Sequence, residues 1–308
     1  MKIDTKYANI VKSILNTGYE YEDPNRKGVI RREIPMVVLE HNVEEGFPII
    51  TIRKSWFKGA VSELLLFLKG STDIRDFWDY NIRFWDKDFM RFQMTKEGWS
   101  KSEIEFRIKE KIDDAYKLYL KDKGDSRIFM MGRIYSAQYA KQYDIFDKFK
   151  ENPLRTDLII NSWQLNDLND MALVPCHYDI QLVGSNDGFE IVWIQRSTDI
   201  ILGTPVNVQF YYLMGLILQE WSGHTFKGIR GILKKVHIYN NGIDLAKQII
   251  DIPESEYKDN IKVDFKMDSE LKGMKFSEMI QKLEPNQFSI SNYKYVIKDT
   301  IDMLTYNI

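Results

Sequence analysis

Residues 171–221 read MALVPCHYDIQLVGSNDGFEIVWIQRSTDIILGTPVNVQFYYLMGLILQEW. Two parts of this stretch, 177–183 and 189–196, have the residue pattern of strands, and the turn-forming letters SNDG at 185–188 join them. A long apolar run from Val206 to Trp221 follows and predicts a buried helix. A strand hairpin followed by an apolar helix indicates an α+β fold in which this helix packs on a sheet.

Further strands and helices are predicted on both sides of this stretch. The predicted strands are 29–39, 158–163 and 232–240, and the predicted helices are 7–16, 57–68, 242–251 and 277–283. Residues 20–29 contain several turn-forming residues and are expected to form a loop. The charged residues 90–128 have helical spacing and predict a solvated helical insert, a small lobe. Since no change in composition marks a boundary, we expect a single domain over 1–308 that contains this insert.

The composition excludes several classes of protein. A net charge of −2 over 308 residues argues against a protein that binds nucleic acid or an anionic membrane. The chain has one cysteine, Cys176, so neither an internal disulfide nor a cysteine-cluster metal site is possible. The first residues contain no apolar run typical of a signal peptide, and Val206–Trp221 is too short and too polar to span a bilayer. We therefore expect a soluble protein of the cytoplasm.

Cys176 is the first candidate for chemistry. Most buried cysteines act as small apolar residues, and that interpretation stays open here. However, Pro175 precedes Cys176 and Arg196 lies on the next predicted strand, where its positive charge could favour a thiolate. A Cys–His hydrolase is a competing hypothesis. Since adjacent residues of a strand point to opposite faces, its base would be His224 or His237 and not the neighbouring histidine.

A second group of candidates follows the same strand hairpin. The letters QRSTDIILGTPVN at 195–207 could simply form a strand end and a loop that leads into a helix. In a functional interpretation, Arg196 and Ser197 would bind a phosphate, and Asn207 would pair with a planar heterocycle. An asparagine at the start of an apolar helix is costly when buried without a partner, which favours a ligand or a local network.

His237 and Tyr239 form the third group. They are two residues apart on a predicted strand and therefore face the same side. Two polar side-chain tips on one face suit a sugar hydroxyl. The simpler interpretation is a pair of half-buried amphipathic side chains, which are common.

Together these segments resemble the thymidylate synthase family. PCH at 175–177, QRSTDIILGTPVN at 195–207 and HIY at 237–239 match its motifs in order and spacing. Four upstream segments resemble it as well: GFPIITIRK (46–54), SELLLFLKG (62–70), RFWDKD (83–88) and GRIYSAQY (132–139). The resemblance implies a three-layer α+β fold, with a mixed sheet covered by helices, and a homodimer formed by sheet-to-sheet packing.

The resemblance also implies a reaction. Cys176 would add to C6 of deoxyuridylate (dUMP), and C5 would then take a one-carbon unit from 5,10-methylenetetrahydrofolate as co-substrate, without a metal. The implied catalytic residues are Cys176, Glu63, Tyr135, Arg196 and Asp199. The implied nucleotide-binding residues are Arg26, Gln195, Arg196, Ser197, Asn207, His237 and Tyr239. The implied folate-binding residues are Arg53, Trp85, Asp199, Leu202 and Gly203.

Specific roles follow from the same resemblance. Glu63 would order the water that moves protons at O4 and at the folate, and Tyr135 would assist removal of the C5 proton. Asn207 would recognise the N3–H and O4 edge of uracil. Trp85 and Leu173 would keep water away from the methylene intermediate, so that hydride is added.

The chain also departs from the family pattern. Arg155, Thr156 and Asp157 stand where the family usually has Ser-Arg-Arg, whose two arginines reach across the dimer to the phosphate. Residues 232–235 read ILKK where Gly-Gly-Asp is usual, and Trp56 stands where a folate-contacting histidine is common. The last ten residues also lack the usual small-residue tail. The predicted phosphate clamp therefore lacks two charge-assisted contacts.

These departures keep two alternatives open beside thymidylate synthase. One is a deoxyuridylate or other pyrimidine nucleotide hydroxymethylase, of the kind found in phages that modify their DNA, in which water replaces hydride. Asn207 favours uracil as the base. The other is a non-catalytic relative that binds nucleotides or RNA. The expected partners are a nucleotide, a folate and a second copy of the chain, with no membrane, and nucleic acid is not expected. If the chain is phage-encoded, the compartment is the host cytoplasm.

Overall fold

The computed structural model describes residues 2–24, 28–122 and 129–298. Its main sheet contains β1 (Tyr19–Glu22), β2 (Ile30–Asn42), β3 (Ile159–Asn161), β4 (His177–Ser185), β5 (Gly188–Gln195), β6 (Thr198–Asp199) and β7 (Phe226–Tyr239). The strand order is β1-β2-β7-β5-β4-β3, and β6 pairs with β7. A separate antiparallel pair is formed by β8 (Lys262–Phe265) and β9 (Phe288–Ser291).

Helices pack around this sheet. They are α1 (Ile3–Thr17), α2 (Phe57–Lys69), α3 (Ile74–Asp79), α4 (Asp86–Lys96), α5 (Lys101–Asp122), α6 (Tyr135–Ala140), α7 (Tyr143–Glu151), α8 (Thr204–Ser222), α9 (Ile243–Asp251) and α10 (Phe276–Met279). None of the helices within the described ranges is long and apolar enough to cross a membrane. The α+β class with a mixed sheet covered by helices confirms the fold expected from the sequence.

The core is built around α2 and α8, which pack against each other. Both helices are apolar on most faces, so nearly all of their residues are buried. Gly70 ends α2 in the left-handed conformation, with φ of 80°, which costs a glycine little. Pro205 lies in the first turn of α8, where the missing amide hydrogen is harmless.

The direction of two strands brings the candidate residues together. β4 and β5 are antiparallel and pair His177 with Gln195, so the residues just outside this pair, Cys176 and Arg196, lie side by side. β5 and β7 are parallel, and the chain crosses from one to the other through α8. The loop after β5 and the start of α8 therefore lie at the same edge of the sheet as Cys176.

Most predicted elements are present, and two expectations were wrong. Residues 20–29 were expected to be a loop, but β1 occupies Tyr19–Glu22 and pairs antiparallel with the start of β2. The alternation of tyrosine and glutamate explains the strand, because Tyr19 and Tyr21 point to the same side and both donate to Glu33, at 2.7 Å each. Residues 277–283, expected to be one helix, contain the end of α10 and then a 3₁₀ turn.

The charged run at 90–128 is helical where it is described, through the end of α4 and the whole of α5. One side of α5 is buried through Ile104, Ile112 and Tyr119, and Tyr119 packs on Trp78 with ring centroids 5.3 Å apart. Most of its remaining residues are exposed, as expected for a solvated helix. That this run is an insert within a single domain stays a prediction.

Candidate active site

The first cluster surrounds Cys176 just before β4. The Arg196 amide donates to the Cys176 carbonyl at 2.8 Å. The Arg196 guanidinium donates from Nε to the Pro175 carbonyl at 2.7 Å and from Nη2 to the Val174 carbonyl at 3.1 Å. These bonds hold Nη2 at 3.9 Å from Cys176 Sγ. A fixed guanidinium at this distance favours the thiolate form, and the half-buried cysteine remains within reach of a substrate.

Tyr135 adds a phenol to the same cluster from the first position of α6. Its hydroxyl accepts a hydrogen bond from the Cys176 amide. Its ring is stacked between Phe67, at a centroid distance of 5.0 Å, and His177, at 4.7 Å. Burial, and then the nearby Cys176, raise the pKa of Tyr135 well above its usual value. The phenol is therefore protonated at neutral pH and can act as a hydrogen-bond donor.

Glu63 is the buried carboxylate of this region. It lies on α2, and its Oε1 accepts a hydrogen bond of 2.9 Å from Trp85 Nε1. Burial raises the pKa of Glu63 to about 7, and the bond from Trp85 only partly offsets this rise. A carboxylic acid with a pKa near neutrality can both donate and accept a proton at physiological pH.

The histidines are engaged away from the sulfur. His177 Nδ1 lies 2.7 Å from the Tyr211 hydroxyl, and burial lowers the pKa of His177 to about 4, so its ring is neutral. His224 Nε2 lies 3.0 Å from the Lys150 carbonyl. His237 Nδ1 lies 2.7 Å from the Lys235 carbonyl. This geometry favours Arg196, and not an imidazole, as the group that activates Cys176, which argues against the Cys–His hydrolase.

The loop after β6 brings four more predicted residues together. Asp199 Oδ1 accepts from the Ile201 amide at 2.9 Å and from the Leu202 amide at 3.0 Å. Arg53 Nη1 donates to the Ile201 carbonyl at 2.5 Å. A Cβ on Gly203 would lie 3.1 Å from the Asp199 carbonyl oxygen, so this turn suits a glycine. Arg53, Asp199, Leu202 and Gly203 thus lie close together around one turn.

Asn207 is held by a second amide. Its Nδ2 lies 3.4 Å from Gln195 Oε1, and the buried Gln195 in turn donates to the Ser197 carbonyl at 3.3 Å. The sequence predicted either a local hydrogen-bond network or a ligand at this asparagine, and the contacts with Gln195 form such a network. The bond to Gln195 fixes the direction of the Asn207 amide plane.

The second cluster surrounds Arg31, a residue that the sequence interpretation missed. Arg31 Nη2 lies 3.0 Å from Ser197 Oγ and 2.7 Å from His237 Nδ1, and its guanidinium lies 5.5 Å from the centre of the Tyr239 ring. The pairing of β2 with β7 places Arg31 directly opposite Tyr239. Only knowledge of this strand pairing could have revealed Arg31, because the two residues are far apart in sequence.

Buried carboxylates hold the Arg31 cluster. Arg31 lies 3.4 Å from Asp23 Oδ2 and 3.6 Å from Glu33 Oε2. Glu33 is fully buried and also accepts from Lys235 Nζ at 3.2 Å and from two tyrosine hydroxyls. Burial raises the pKa of Glu33, but these hydrogen bonds outweigh it, so the net pKa is lowered. The Arg31 cluster is therefore a set of fixed charges.

One other predicted position is not described by the structure, and a second lies apart from these clusters. Arg26 falls outside the described residues. Arg155, the remaining arginine of the expected phosphate clamp, pairs on the surface with Asp157 at 2.6 Å and 2.9 Å. The described part of the chain contains no group of three or more His, Cys, Asp or Glu side chains arranged to hold a metal ion.

Comparison with known proteins places the chain among related sequences. A family model described as thymidylate synthase matches residues 5–305. A protein named thymidylate synthase from Phytoplasma mali is 32% identical over 257 residues, which are 80% of this chain and 85% of that protein. One of the same name from Malacoplasma penetrans is 28% identical over 278 residues, 85% and 93% of the two chains. One from Mycoplasma mobile is 26% identical over 250 residues, 79% and 83% of the two chains.

Proposed function

Since this chain belongs to the thymidylate synthase family, we propose that it transfers the one-carbon unit of 5,10-methylenetetrahydrofolate to C5 of deoxyuridylate. Membership implies a one-carbon transferase that binds a nucleotide and a folate. The observation that carries the proposal is the placement of Cys176 Sγ 3.9 Å from Arg196 Nη2, in a loop fixed by three main-chain contacts of Arg196.

The covalent step uses this sulfur. The Cys176 thiolate forms a bond to C6, and the electrons of the C5–C6 double bond move to C5 and O4. C5 then bonds to the one-carbon unit and loses its proton, and the bond from this unit to the folate nitrogen breaks, which leaves an exocyclic methylene on C5. A hydride from the folate, or water in the hydroxymethylase, adds to this methylene. The carbon–sulfur bond then breaks, the C5–C6 double bond returns and the thiolate is released.

Glu63 and Tyr135 would carry out the proton transfers. Glu63, with a pKa of about 7, is matched to proton exchange near O4 at neutral pH. Tyr135 stays protonated and touches the Cys176 backbone, so it would order the water or base that takes the C5 proton. Neither role requires a histidine.

Nucleotide recognition would come from the edge of the sheet. The Asn207 amide, oriented by Gln195, would pair with the N3–H and O4 edge of uracil. Ser197 and Arg196 would bind the phosphate together with Arg26. His237 and Tyr239, which share one face of β7, would bind the 3′-hydroxyl of the deoxyribose.

The folate would be held by Arg53, Trp85, Asp199, Leu202 and Gly203. Two observations support this assignment: Gly203 lies in the same turn as Asp199, and the Trp85 ring lies beside Glu63. When bound, the folate supplies the carbon unit and a hydride. The chain's own part is to orient it and to exclude water.

The last step distinguishes a methylase from a hydroxymethylase. Trp85 is buried and donates a hydrogen bond to Glu63, and the bulky side chain of Leu173 packs against the core. Exclusion of water favours hydride addition, and we therefore propose thymidylate synthase. Deoxyuridylate hydroxymethylase is the second candidate, favoured by the altered residues 155–157. We also propose that the protein is a single catalytic domain that works as a sheet-packed homodimer in the cytoplasm.

One incubation tests these proposals. Purified protein is mixed with deoxyuridylate and methylenetetrahydrofolate, and dihydrofolate absorbance and nucleotide mass are recorded together. A methyl-sized mass gain with dihydrofolate supports thymidylate synthase. A hydroxymethyl-sized gain without dihydrofolate identifies the second candidate. If deoxycytidylate and the ribonucleotides also give no product, the protein is a non-catalytic binding relative.

A further inference from the structure

The residues proposed to bind the phosphate carry fewer positive charges than the resemblance predicts. The arginine pair expected from the resemblance is replaced by residues 155–157. The guanidinium of the remaining arginine, Arg155, donates two hydrogen bonds to the carboxylate of Asp157. Two N–H groups of the Arg196 guanidinium already donate hydrogen bonds to the Pro175 and Val174 carbonyls. A phosphate dianion is held by several charge-assisted hydrogen bonds, so a further cation beside Arg196 and Arg26 would strengthen its binding.

Arg31 is placed to supply this charge from the same chain. It is buried, with 8% of its surface exposed, and its Nη2 lies 3.0 Å from Ser197 Oγ, the hydroxyl proposed to bind the phosphate. The same nitrogen lies 2.7 Å from His237 Nδ1. The guanidinium therefore lies between the groups proposed for the phosphate and for the sugar.

The other contacts of Arg31 leave donor capacity for an anion. Its contacts with the Asp23 and Glu33 oxygens, at 3.4 Å and 3.6 Å, are longer than ideal charged hydrogen bonds. Its Nε is buried and has no hydrogen-bond acceptor among the described residues. Buried donors in folded proteins nearly always find an acceptor, and a phosphate would provide one.

The neighbouring Lys235 supports the same interpretation. It has φ of 45°, a left-handed conformation that lysine rarely adopts, and its Nζ lies 3.2 Å from Glu33 Oε1. Strained residues tend to be found at functional sites. Lys235 pairs with the other oxygen of Glu33, so the charge of this carboxylate is shared between Lys235 and Arg31.

We propose that Arg31 binds the nucleotide phosphate directly and replaces, within one chain, the arginines that the family contributes from the partner subunit. This inference rests on the proposed function, because it assumes a nucleotide monophosphate as ligand. It makes Arg31 a residue that determines specificity for a nucleotide over a nucleoside.

The test compares two ligands that differ only in the phosphate. Dissociation constants of deoxyuridylate and deoxyuridine are measured by calorimetry for the wild type, Arg31→Gln and Arg31→Lys. Arg32→Gln is the matched control, since Arg32 is next on the same strand, faces the opposite side and donates to the Leu15 carbonyl at 2.9 Å. Thermal unfolding of each variant verifies that it folds.

We expect Arg31→Gln to weaken deoxyuridylate binding by about 10- to 100-fold while deoxyuridine binding changes less than about threefold. Arg31→Lys keeps the charge but lacks the paired donors of the guanidinium, and it should weaken deoxyuridylate binding less than Arg31→Gln does. Arg32→Gln should leave deoxyuridylate binding unchanged. An equal loss for both ligands, or no loss, would overturn the inference while leaving the proposed function intact.

Failure of the proposed function has a different signature. If the wild type binds neither ligand nor another pyrimidine monophosphate, both proposals are overturned. If the wild type binds deoxyuridylate in an Arg31-dependent manner but forms no product, the catalytic proposal fails and the phosphate contact stands.

Discussion

Glu63 and Glu33 are both buried carboxylates beside the proposed site, yet their pKa values are shifted in opposite directions. Glu63 accepts from a single indole, and its pKa rises to about 7. Glu33 receives hydrogen bonds from two tyrosines and a lysine, and its pKa is lowered. One region therefore holds a proton that can move, and the other holds a fixed charge.

The two regions also differ in what fixes them. In the Cys176 cluster, Arg196 and Tyr135 contact main-chain atoms of residues 174–176. In the Arg31 cluster, nearly all contacts join one side chain to another. A contact to the main chain survives substitution of the partner residue, whereas a contact between side chains does not. The groups proposed to react are thus fixed by main-chain contacts, while those proposed to bind the phosphate and sugar depend on a few side chains.

The largest effect should come from Cys176→Ser. A hydroxyl at this position is a far weaker nucleophile, so we expect kcat to fall by at least about 10³-fold. Deoxyuridylate binding, which depends on the Arg31 cluster, should change less than about threefold. Steady-state kinetics and calorimetry measure the two quantities. Substantial activity in this variant would refute the covalent role of Cys176.

Glu63→Gln should come next, with kcat lowered by about 10²- to 10⁴-fold. This variant also changes the pH dependence of stability. In the wild type the unfolded chain releases the Glu63 proton near pH 4.5 while the folded chain keeps it until about pH 7, so stability falls as pH rises from about 4.5 to 7. We expect the variant to be more stable by roughly 3 kcal/mol at pH 8 and equal near pH 4.5. Urea unfolding at both pH values tests this, and parallel stability curves would contradict it.

Glu33→Gln should show the reverse dependence on pH. Because the pKa of Glu33 is lowered, its ion pairs stabilise the fold above the unfolded-state pKa, and this stability is lost as pH falls through the folded-state value. We expect the variant to lose about 2 to 4 kcal/mol at pH 7 and progressively less in acid. The same unfolding series measures it. A constant difference at all pH values would mean that the charge of Glu33 is not involved.

The smallest effect should come from Arg155→Ala. The guanidinium of Arg155 is paired with Asp157 on the surface, and an exposed ion pair of this kind contributes little to stability. We expect deoxyuridylate affinity to change less than about twofold. A loss as large as that of Arg31→Gln would show that the phosphate is still bound at the family position, and the comparison between the two clusters would fail.

The sequence predicted the Cys176 cluster better than the Arg31 cluster. The turn at 185–188 fixes the register of β4 against β5, so the approach of Arg196 to Cys176 follows from local signals. Arg31 meets His237 only because β2 pairs with β7, and no local signal encodes this pairing. The roles assigned to individual residues stay predictions.

The errors in the fold have the same cause. β1 was missed because four residues beside a segment rich in turn-forming letters give a weak strand signal, and its stability comes from pairing with β2. α6, α7 and the β8–β9 pair were not predicted either, since each is short and is held by tertiary packing. The long apolar helices α2 and α8 were found because burial itself sets their pattern.

The long pairing of β2 with β7 has a consequence for synthesis on the ribosome. Arg230 and Asn42, bonded at 2.7 Å, are 188 residues apart. At a translation rate of about 5 to 20 residues per second, β7 is synthesised roughly 10 to 40 s after β2, and one edge of β2 is unpaired until then. During this interval the nascent chain exposes an unpaired strand edge, a template for association with other chains. Cells that produce this protein should therefore depend on chaperones that bind the first two hundred residues as they emerge.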